Sequence, residues 1–238
     1  METGLQRCLS FIQCQLQPAG KVTLSSESGR WRAVTISRLS GSGGHAVAER
    51  LAQFLQTHAP SKCPWTVFDR NLVEQVLADH HLPGRLAKFM PEDRISRLQD
   101  ILDELLGTHP PSETLVRQIT ETVLRLAELG NVILIGRGAN VITAKLDYVF
   151  HVRLVGSEEK RIRRIQELQQ LSAKEARAFI RTEDRGRERY LKEYFGRNID
   201  DPLLYHLMVN TDLIAYDEAA RIIGTAMLSG ERQAGSAR

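Results

Sequence analysis

Short apolar runs alternate with helical segments along most of this 238-residue chain. Five runs are rich in β-branched residues and well separated: 33–37, 65–69, 131–136, 148–155 and 207–211. Strands that are apolar at nearly every position are buried on both faces, which is typical of a parallel sheet covered by helices. The alternation therefore predicts a three-layer α/β fold, in which ligands bind beyond the carboxyl ends of the strands.

The remaining segments predict one main domain with additions. We expect an N-terminal amphipathic helix and linker over residues 1–32, the main domain over 33–228 and a flexible tail over 229–238. Within the main domain, a helical insertion spans 71–129, and two further helices, the second rich in arginine, span 157–197. The N-terminal helix either docks on its own domain, which we favour, or makes a homodimer contact.

Positive charge is concentrated in one part of the chain. The formal net charge is +3, whereas residues 153–197 hold 13 Lys/Arg and 8 Asp/Glu, a local balance of +5 that leaves −2 elsewhere. The arginine-rich helix lacks the interleaved aromatic residues of a nucleic-acid platform, so we expect no nucleic-acid partner. No apolar run approaches the roughly 18 residues of a membrane span, so we expect no membrane partner.

The cysteines are few and unpatterned. Cys8, Cys14 and Cys63 form no CxxC pair and are odd in number, which predicts neither a disulfide framework nor a structural zinc site. The N-terminus lacks the pattern of a secretory signal. We therefore expect a cytoplasmic protein without a resident metal site.

The first strand leads into a glycine-rich turn and an amphipathic helix, in the stretch VTISRLSGSGGHAVAERLAQFL. Such a turn points several amide N–H groups at an anion, and the helix N-terminus adds partial positive charge. Compared with the phosphate-binding pattern GxxxxGK[ST], Gly43 is kept, while Arg38, Gly44 and His45 replace the first glycine, the lysine and the hydroxyl residue. The candidate phosphate-binding residues are Ser40, Gly41, Ser42, Gly43, Gly44 and His45. The alternative is a strand-to-helix turn without a ligand.

Two further strand ends carry candidate residues. Arg137, between two glycines after the third strand, can make a forked contact with a phosphate, or else pair with a surface carboxylate. Asp69, after the second strand, can bind a magnesium-bound water or an acceptor, or else cap the following helix.

Four motifs together resemble the cytidylate-kinase-like family, a branch of the P-loop nucleoside monophosphate kinases: TISRLSGSGG, ILIGRGAN, RIRRIQELQQLSAKEA and TEDRGRERY. The resemblance covers roughly residues 33–225. It implies a P-loop kinase fold with a five-stranded parallel sheet, an acceptor-binding region in the helical insertion and an arginine-rich lid. It also implies transfer of the γ-phosphoryl group of ATP to CMP or dCMP, with Mg²⁺.

The resemblance assigns roles to several residues. Arg137 matches the acceptor-binding arginine of a GRD motif, in which Gly138 stands where the aspartate would be. Asp184 and Arg187 match an Asp-x-x-Arg pair that reads the cytosine and the acceptor phosphate.

Further arginines match the positions that clamp the donor phosphates, namely Arg161, Arg164 and Arg181. Because the acceptor phosphate oxygen is already a nucleophile, catalysis depends on positioning and charge neutralisation, for which we select Arg38, Arg181 and Arg187. Alternatively, the arginines of the lid pair with neighbouring carboxylates on a solvated helix. A nucleotide-binding regulatory protein with weak or no transfer activity is the competing function.

Overall fold

The structure is a computed structural model that describes residues 31–59, 61, 63–69 and 114–229. It also describes a few residues outside these ranges: Gln6, Ser10, Phe11, Gln13, Cys14, Ile101, Leu102 and Leu105.

Five parallel strands form one sheet in the order β2-β3-β1-β4-β5. Their bounds are β1 Ala33–Arg38, β2 Thr66–Phe68, β3 Val132–Ile135, β4 Val149–Val155 and β5 Leu207–Asn210. The first strand is central and pairs with β3 on one side and β4 on the other. The predicted five-stranded parallel sheet is confirmed, and each strand lies within two residues of its predicted bounds.

Helices cover both faces of this sheet. Their bounds are α1 Gly44–His58, α2 Thr114–Leu129, α3 Ala139–Ile142, α4 Glu158–Gln169, α5 Ala173–Phe195 and α6 Tyr216–Ser229, with a 3₁₀ turn at Pro202–Leu204. In α5, the Ser172 side chain accepts from the Glu175 amide and the Glu175 side chain accepts in return, so a capping box fixes where this 23-residue helix begins.

The alternating direction of the side chains along the central strands divides the hydrophobic core between the two faces of the sheet. On one face, Val34 and Ile36 of β1 pack with apolar residues of α1 and α6. On the other, Ala33 packs with residues of α2 and α3. Because side chains of successive residues point to opposite faces, each of the strands β1 to β4 contributes to both cores.

The predicted insertion is described only in part. Residues 114–129 form α2, whereas the Leu-Pro-Gly break at 82–84 and the Pro-rich break at 108–112 lie outside the described residues, as does the tail beyond Ser229. The predicted domain boundaries therefore remain a prediction. None of the described helices is long and apolar enough to span a membrane.

The N-terminal segment is attached to its own domain. Phe11 is fully buried and its ring lies edge-on to that of Phe68, with 5.6 Å between the centroids. Cys14 forms a disulfide with Cys63, with their Cα atoms 5.7 Å apart. The expectation that the sequence holds no disulfide is wrong for this pair, because partners 49 residues apart leave no local spacing pattern. Docking on its own domain buries Phe11 without a second copy of the chain.

We expect the disulfide to stabilise the fold, because it restricts the unfolded chain. Reduction, or Cys14→Ser, should lower the unfolding free energy by about 2–4 kcal/mol. Thermal unfolding with and without reductant measures the change, and Cys8→Ser is the matched control. Equal melting temperatures for Cys14→Ser and the unmodified protein would contradict the prediction.

A buried histidine lies in the centre of the sheet. The Nδ1 atom of His151 is 2.8 Å from the Thr35 hydroxyl, and its backbone N–H donates to Nδ1 of His206 at 2.9 Å. Burial, with the nearby imidazole of His206 as a smaller cause, lowers the pKa of His151 from 6.5 to about 3. The imidazole of His151 is therefore neutral in the folded protein down to strongly acidic pH.

This lowered pKa makes the fold sensitive to acid. Below about pH 6.5 the unfolded chain binds a proton at His151 that the folded chain does not bind until about pH 3. As the pH falls through this range, His151 should therefore lower the unfolding free energy by up to about 1.4 kcal/mol per pH unit. Urea unfolding between pH 7 and 4 should show a shallower decline for His151→Gln than for the exposed-site control His45→Gln. Parallel declines would contradict the assignment.

Candidate functional site

The glycine loop, residues 38–45, joins the end of β1 to the start of α1. Gly43 precedes the helix with a φ of 81°, in the left-handed region that favours glycine, and provides no side-chain cap. The first turn of α1 contains no acidic residue. Among the described residues, no acceptor contacts the Gly43 or Gly44 amide. This helix N-terminus is therefore suited to an external anion.

Ser40 is bound by three charged side chains from α4 and α5, which we call the lid helices. Its amide donates to Oδ1 of Asp184 at 2.7 Å, its hydroxyl accepts from Nη1 of Arg187 at 2.6 Å, and its carbonyl accepts from Nη1 of Arg161 at 3.0 Å. Asp184 in turn accepts from Arg161 at 2.7 Å and from Arg187 at 3.0 Å. These contacts attach the single residue Ser40 to side chains that lie more than 120 positions away in the sequence.

The rest of the loop is packed against neighbouring elements. A Cβ atom on Gly41 would lie 2.7 Å from the Arg161 carbonyl oxygen, and one on Gly43 would overlap the ring of Tyr216. Arg164 donates to the Thr211 carbonyl at 2.6 Å and lies over that tyrosine ring. Arg161 and Arg164 therefore lie beside the glycine loop and donate to backbone oxygens, while their contact with donor phosphates remains a prediction.

Two residues of the loop point elsewhere. The hydroxyl of Ser42 donates to the Leu39 and Leu154 carbonyls at 2.8 and 3.3 Å, which fixes the turn. The side chain of His45 is 63% exposed and lies 3.6 Å from Glu49, one turn further along α1. The structure thus places His45 on the outer surface of the helix.

Arg38 spans the gap between the glycine loop and the loop after β3. A Cβ atom on Gly44 would lie 3.0 Å from Cγ of Arg38, and one on Gly136 would overlap its Nη1 atom. Glycine at these two positions leaves room for the arginine. The Arg38 side chain therefore passes beside the position at which the GxxxxGK[ST] pattern carries lysine.

The guanidinium of Arg38 is surrounded by charges that do not pair with it directly. Burial, followed by the charge of Arg187, lowers the pKa of Arg38 to about 10, while Glu183, Asp69 and Asp184 act in the opposite direction. Among the described residues, Arg38 has no hydrogen-bond or ion-pair partner. Asp69 therefore lies within electrostatic reach of the site. A desolvated cation of this kind is typical of a ligand site.

The loop that follows β3 lines another side of the candidate site. Arg137 has a φ of 55°, which is unusual for a non-glycine residue and is found at ligand-binding positions. Burial raises the pKa of Tyr190, on the facing helix α5, to about 12, although the charge of Arg137 opposes this shift. A Cβ atom on Gly138 would lie 3.1 Å from Phe195 and 3.4 Å from Leu191. Apolar side chains thus fill the direction in which an aspartate would project.

Two cavities open at this edge of the sheet and share Arg38, Arg187 and Ile199. The first, the Arg137 cavity, measures about 220 Å³ and lies between Arg137, Asn140 and Tyr190. The second, the Arg153 cavity, measures about 200 Å³ and is lined by six arginines: Arg38, Arg153, Arg161, Arg181, Arg185 and Arg187. Four acidic residues also line it: Glu158, Asp184, Glu188 and Asp200.

The structure separates the predicted residues into two groups. It brings together Arg38, Arg137, Asp184 and Arg187 around the two cavities. In contrast, Arg181 is 58% exposed and pairs with Glu158 at 3.2 Å. Arg181 therefore lies at the rim of the Arg153 cavity rather than over the glycine loop.

Sequence reasoning missed Arg153, although its signal is visible as a charged residue within the apolar strand segment YVFHVRLV. It also missed Tyr190 and Tyr216, whose only sequence signal is an aromatic residue on a polar helix. These tyrosines contact the glycine-containing loops directly.

Known proteins resemble this chain in sequence and in fold. The sequence profile of the cytidylate kinase-like family matches residues 33–213, which include the glycine loop, both cavities and the lid. The chain belongs to the cytidylate kinase-like family. Membership supports a nucleotide kinase-like function. Among curated proteins, none matches the sequence.

A solved structure shares the fold. An uncharacterized protein from Eubacterium ventriosum ATCC 27560 is 18% identical and superposes with a TM-score of 0.58, over 84% of this chain and 99% of that one. Shikimate kinase from Bacteroides thetaiotaomicron is 13% identical, with a TM-score of 0.45 over 83% and 98% of the respective chains. The first likeness shows a shared fold and nothing more. The second is too weak to support a conclusion.

We predict that Asp184 stabilises the glycine loop, because it accepts from Ser40, Arg161 and Arg187 together. Asp184→Ala removes one acceptor from each of these donors and should lower the unfolding free energy by about 1–3 kcal/mol. Urea unfolding measures the effect. The control is Asp217→Ala, which removes a carboxylate that is 82% exposed and pairs with Arg50. Equal losses in the two variants would contradict this role.

Proposed function

We propose that the protein transfers the γ-phosphoryl group of ATP to CMP, dCMP or a related small acceptor. The observation that carries this proposal is Arg38, a desolvated guanidinium without a direct partner among the described residues, at the junction of two cavities beside the glycine loop. Group transfer needs such a cation between donor and acceptor, because negative charge develops there in the transition state.

In the proposed reaction, an anionic oxygen of the acceptor attacks the γ-phosphorus of ATP, and the bond between this phosphorus and the β-phosphate oxygen breaks, so that ADP leaves. The attacking oxygen is already ionised, so no general base is required. Arg38 and Arg187 line both cavities and neutralise the transferring group. The uncapped amides of Gly43 and Gly44 receive donor phosphate oxygens, and Arg137 orients the acceptor phosphate.

Magnesium fits this site only as a partner of the nucleotide. The described residues contain no cluster of three or more potential metal ligands. Mg²⁺ in kinase sites is bound by one or two carboxylates together with substrate phosphates, and it neutralises phosphate charge. Asp69 is the carboxylate at a strand end that could contribute, directly or through water.

The acceptor base is the least constrained part of the proposal. Gly138 lacks the carboxylate that the family motif places there, and Phe195 and Leu191 occupy the adjoining space. Cytosine would therefore have to be read by Asp184 or by other residues. A panel of acceptors is the appropriate test, and CMP is one member of it.

The second candidate is a nucleotide-binding regulatory protein with little transfer activity. Asp184 favours this function, because its carboxylate already binds the Ser40 amide that a donor phosphate would otherwise approach. Arg161 and Arg187 also donate to Asp184, so these cations are partly neutralised. In this case nucleotides bind but are not converted.

Labelled ATP with CMP, dCMP, UMP and AMP, each with and without Mg²⁺, tests the proposal. We expect transfer to at least one acceptor, and a fall in turnover of about 10³-fold in Arg38→Ala and Arg187→Ala, as for other arginines that meet the transferring group. The control is Arg163→Ala, whose guanidinium pairs with Glu159 on the exposed side of α4. Melting temperatures verify that each variant folds.

The outcomes separate the two candidates. Calorimetric binding of ATP without transfer to any acceptor would support the regulatory protein and contradict the kinase. Transfer that is unchanged in Arg38→Ala would remove this residue from the mechanism. We also propose a cytoplasmic location and no nucleic-acid or membrane partner. Because disulfides are rare in a reducing cytoplasm, the state of Cys14 and Cys63 in cells tests that location.

A further inference from the structure

The N-terminal segment presents two attachment points on one face. Its described residues are helical, and Phe11 is buried and Cys14 half-buried, whereas Gln6, Ser10 and Gln13 are exposed. Residues three positions apart share a face of a helix, so Phe11 and Cys14 project in the same direction. The segment therefore meets its domain through both an apolar contact and a covalent bond.

The other sulfur atom of this bond is held by the domain itself. The Cys63 carbonyl accepts from the Asn131 side chain at 3.2 Å and from the Ser61 hydroxyl at 2.6 Å. Strand β2 begins at Thr66 and pairs with β3. These contacts fix Cys63 independently of Cys14, so the N-terminal segment is the partner that moves when the bond breaks.

The disulfide links a part of the chain outside the family profile to a part inside it. The profile matches residues 33–213, which include Cys63 but not Cys14. Phe11 belongs to the core cluster on the α2 side of the sheet, and the other buried members of that cluster lie at Ala33 or later in the chain. The sheet and its two cores are therefore built without the segment, and release of the segment leaves them in place.

Without the disulfide, the attachment of the segment is weak. The connection to the domain then runs only through residues 15–30, a stretch rich in glycine, serine and proline. Such a composition favours many chain conformations over one, so docking lowers the entropy of the chain. Among the described residues of the segment, Phe11 is the buried apolar one that opposes this cost. The covalent bond therefore decides whether the segment is docked.

The two sulfur atoms differ in accessibility. Cys63 is buried, whereas Cys14 is half-buried, so a small thiolate reaches the Cys14 sulfur more easily. Attack there forms a mixed disulfide on Cys14 and releases the Cys63 sulfur, which takes up a proton. A second small thiol then displaces the first and leaves Cys14 as a thiol. Two small thiols are thus oxidised to one disulfide, and the protein disulfide is reduced to two thiols.

We propose that Cys14 and Cys63 form a redox switch that fastens the N-terminal segment to the β2 edge of the sheet and releases it on reduction by a thiol of the glutathione class. Disulfides of proteins in reducing compartments are typically transient and redox-sensing. There the released form predominates, and a small disulfide of the same class restores the docked form by the reverse exchange.

The switch acts beside the candidate site. The ring of Phe11 covers Phe68, the last residue of β2. The next residue, Asp69, acts electrostatically on Arg38. Release of the segment therefore uncovers the strand end that carries this carboxylate. The switch goes beyond the proposed function, because it requires neither a nucleotide nor phosphoryl transfer.

Hydrogen exchange of the full chain in glutathione buffers tests the switch, and mass spectrometry of alkylated thiols measures the state of the disulfide. On reduction, we expect the amides of residues 6–14 to exchange about tenfold faster or more, because local release precedes global unfolding. The amides of β3 should stay protected over the same labelling time. A disulfide that survives an excess of reduced glutathione, or equal exchange of residues 6–14 in both states, would overturn the proposal.

Two serine variants accompany this measurement. Cys14→Ser should show the fast exchange of residues 6–14 in every buffer, because it cannot form the bond. Cys8→Ser is the matched control and should respond to glutathione like the unmodified protein. Slow exchange in Cys14→Ser would contradict the role of the disulfide.

A further variant separates release of the segment from mere reduction of the bond. If the reduced segment is released, docking limits formation of the bond, and Phe11→Ala should shift the glutathione ratio at half-reduction about tenfold or more toward easier reduction. Ser10→Ala, at an exposed position of the same segment, should leave this ratio unchanged. A segment that stays docked after reduction predicts no shift in Phe11→Ala, and that result would overturn the proposal.

Protection of the β3 amides shows whether Phe11→Ala folds, and if it does not, the exchange of Cys14→Ser decides the question. None of these measurements uses a nucleotide. A reversible switch in a protein that transfers no phosphoryl group would contradict the proposed kinase alone, whereas transfer by a protein whose disulfide resists reduction would contradict the switch alone.

Discussion

The attachment of Ser40 to the lid helices is the interaction on which the site depends. A single residue of the glycine loop uses its amide, its hydroxyl and its carbonyl to bind Asp184, Arg187 and Arg161. Each of these bonds involves a charged partner and is therefore stronger than a neutral one. They place the lid directly above the carboxyl ends of the central strands, and the two cavities exist because the lid is held there.

The missing lysine of the glycine loop has a structural counterpart. A side chain at position 44 would contact Arg38, and a side chain at position 136 would occupy the space of its guanidinium. A cationic side chain thus reaches this region from the end of β1 instead of the start of α1. Arginine presents a planar fork where lysine presents a point charge, so the geometry of anion recognition differs even if the charge is the same.

The sequence predicted the sheet well and the site only in part. The five strands are buried runs rich in β-branched residues, and their apolar sequence itself indicates burial on both faces of the sheet. The structure also brings Arg38, Asp184 and Arg187 close together, while the binding and catalytic roles that the sequence assigns to them remain predictions. The direction of Arg181 depends on its pairing with Glu158, and the depth of Arg153 depends on strand register. The disulfide joins distant positions. Of these three features, only the burial of Arg153 leaves a local signal, namely a charged residue within an apolar run.

Helix α5 is a single 23-residue helix that contributes to both cavities. Arg181 and Arg185 face one of them, Thr182 and Tyr190 face the other, and Arg187 reaches both. A rigid element of this kind cannot uncover one compartment while leaving the other in place. A rigid movement of α5 would therefore change the shape of both cavities at the same time.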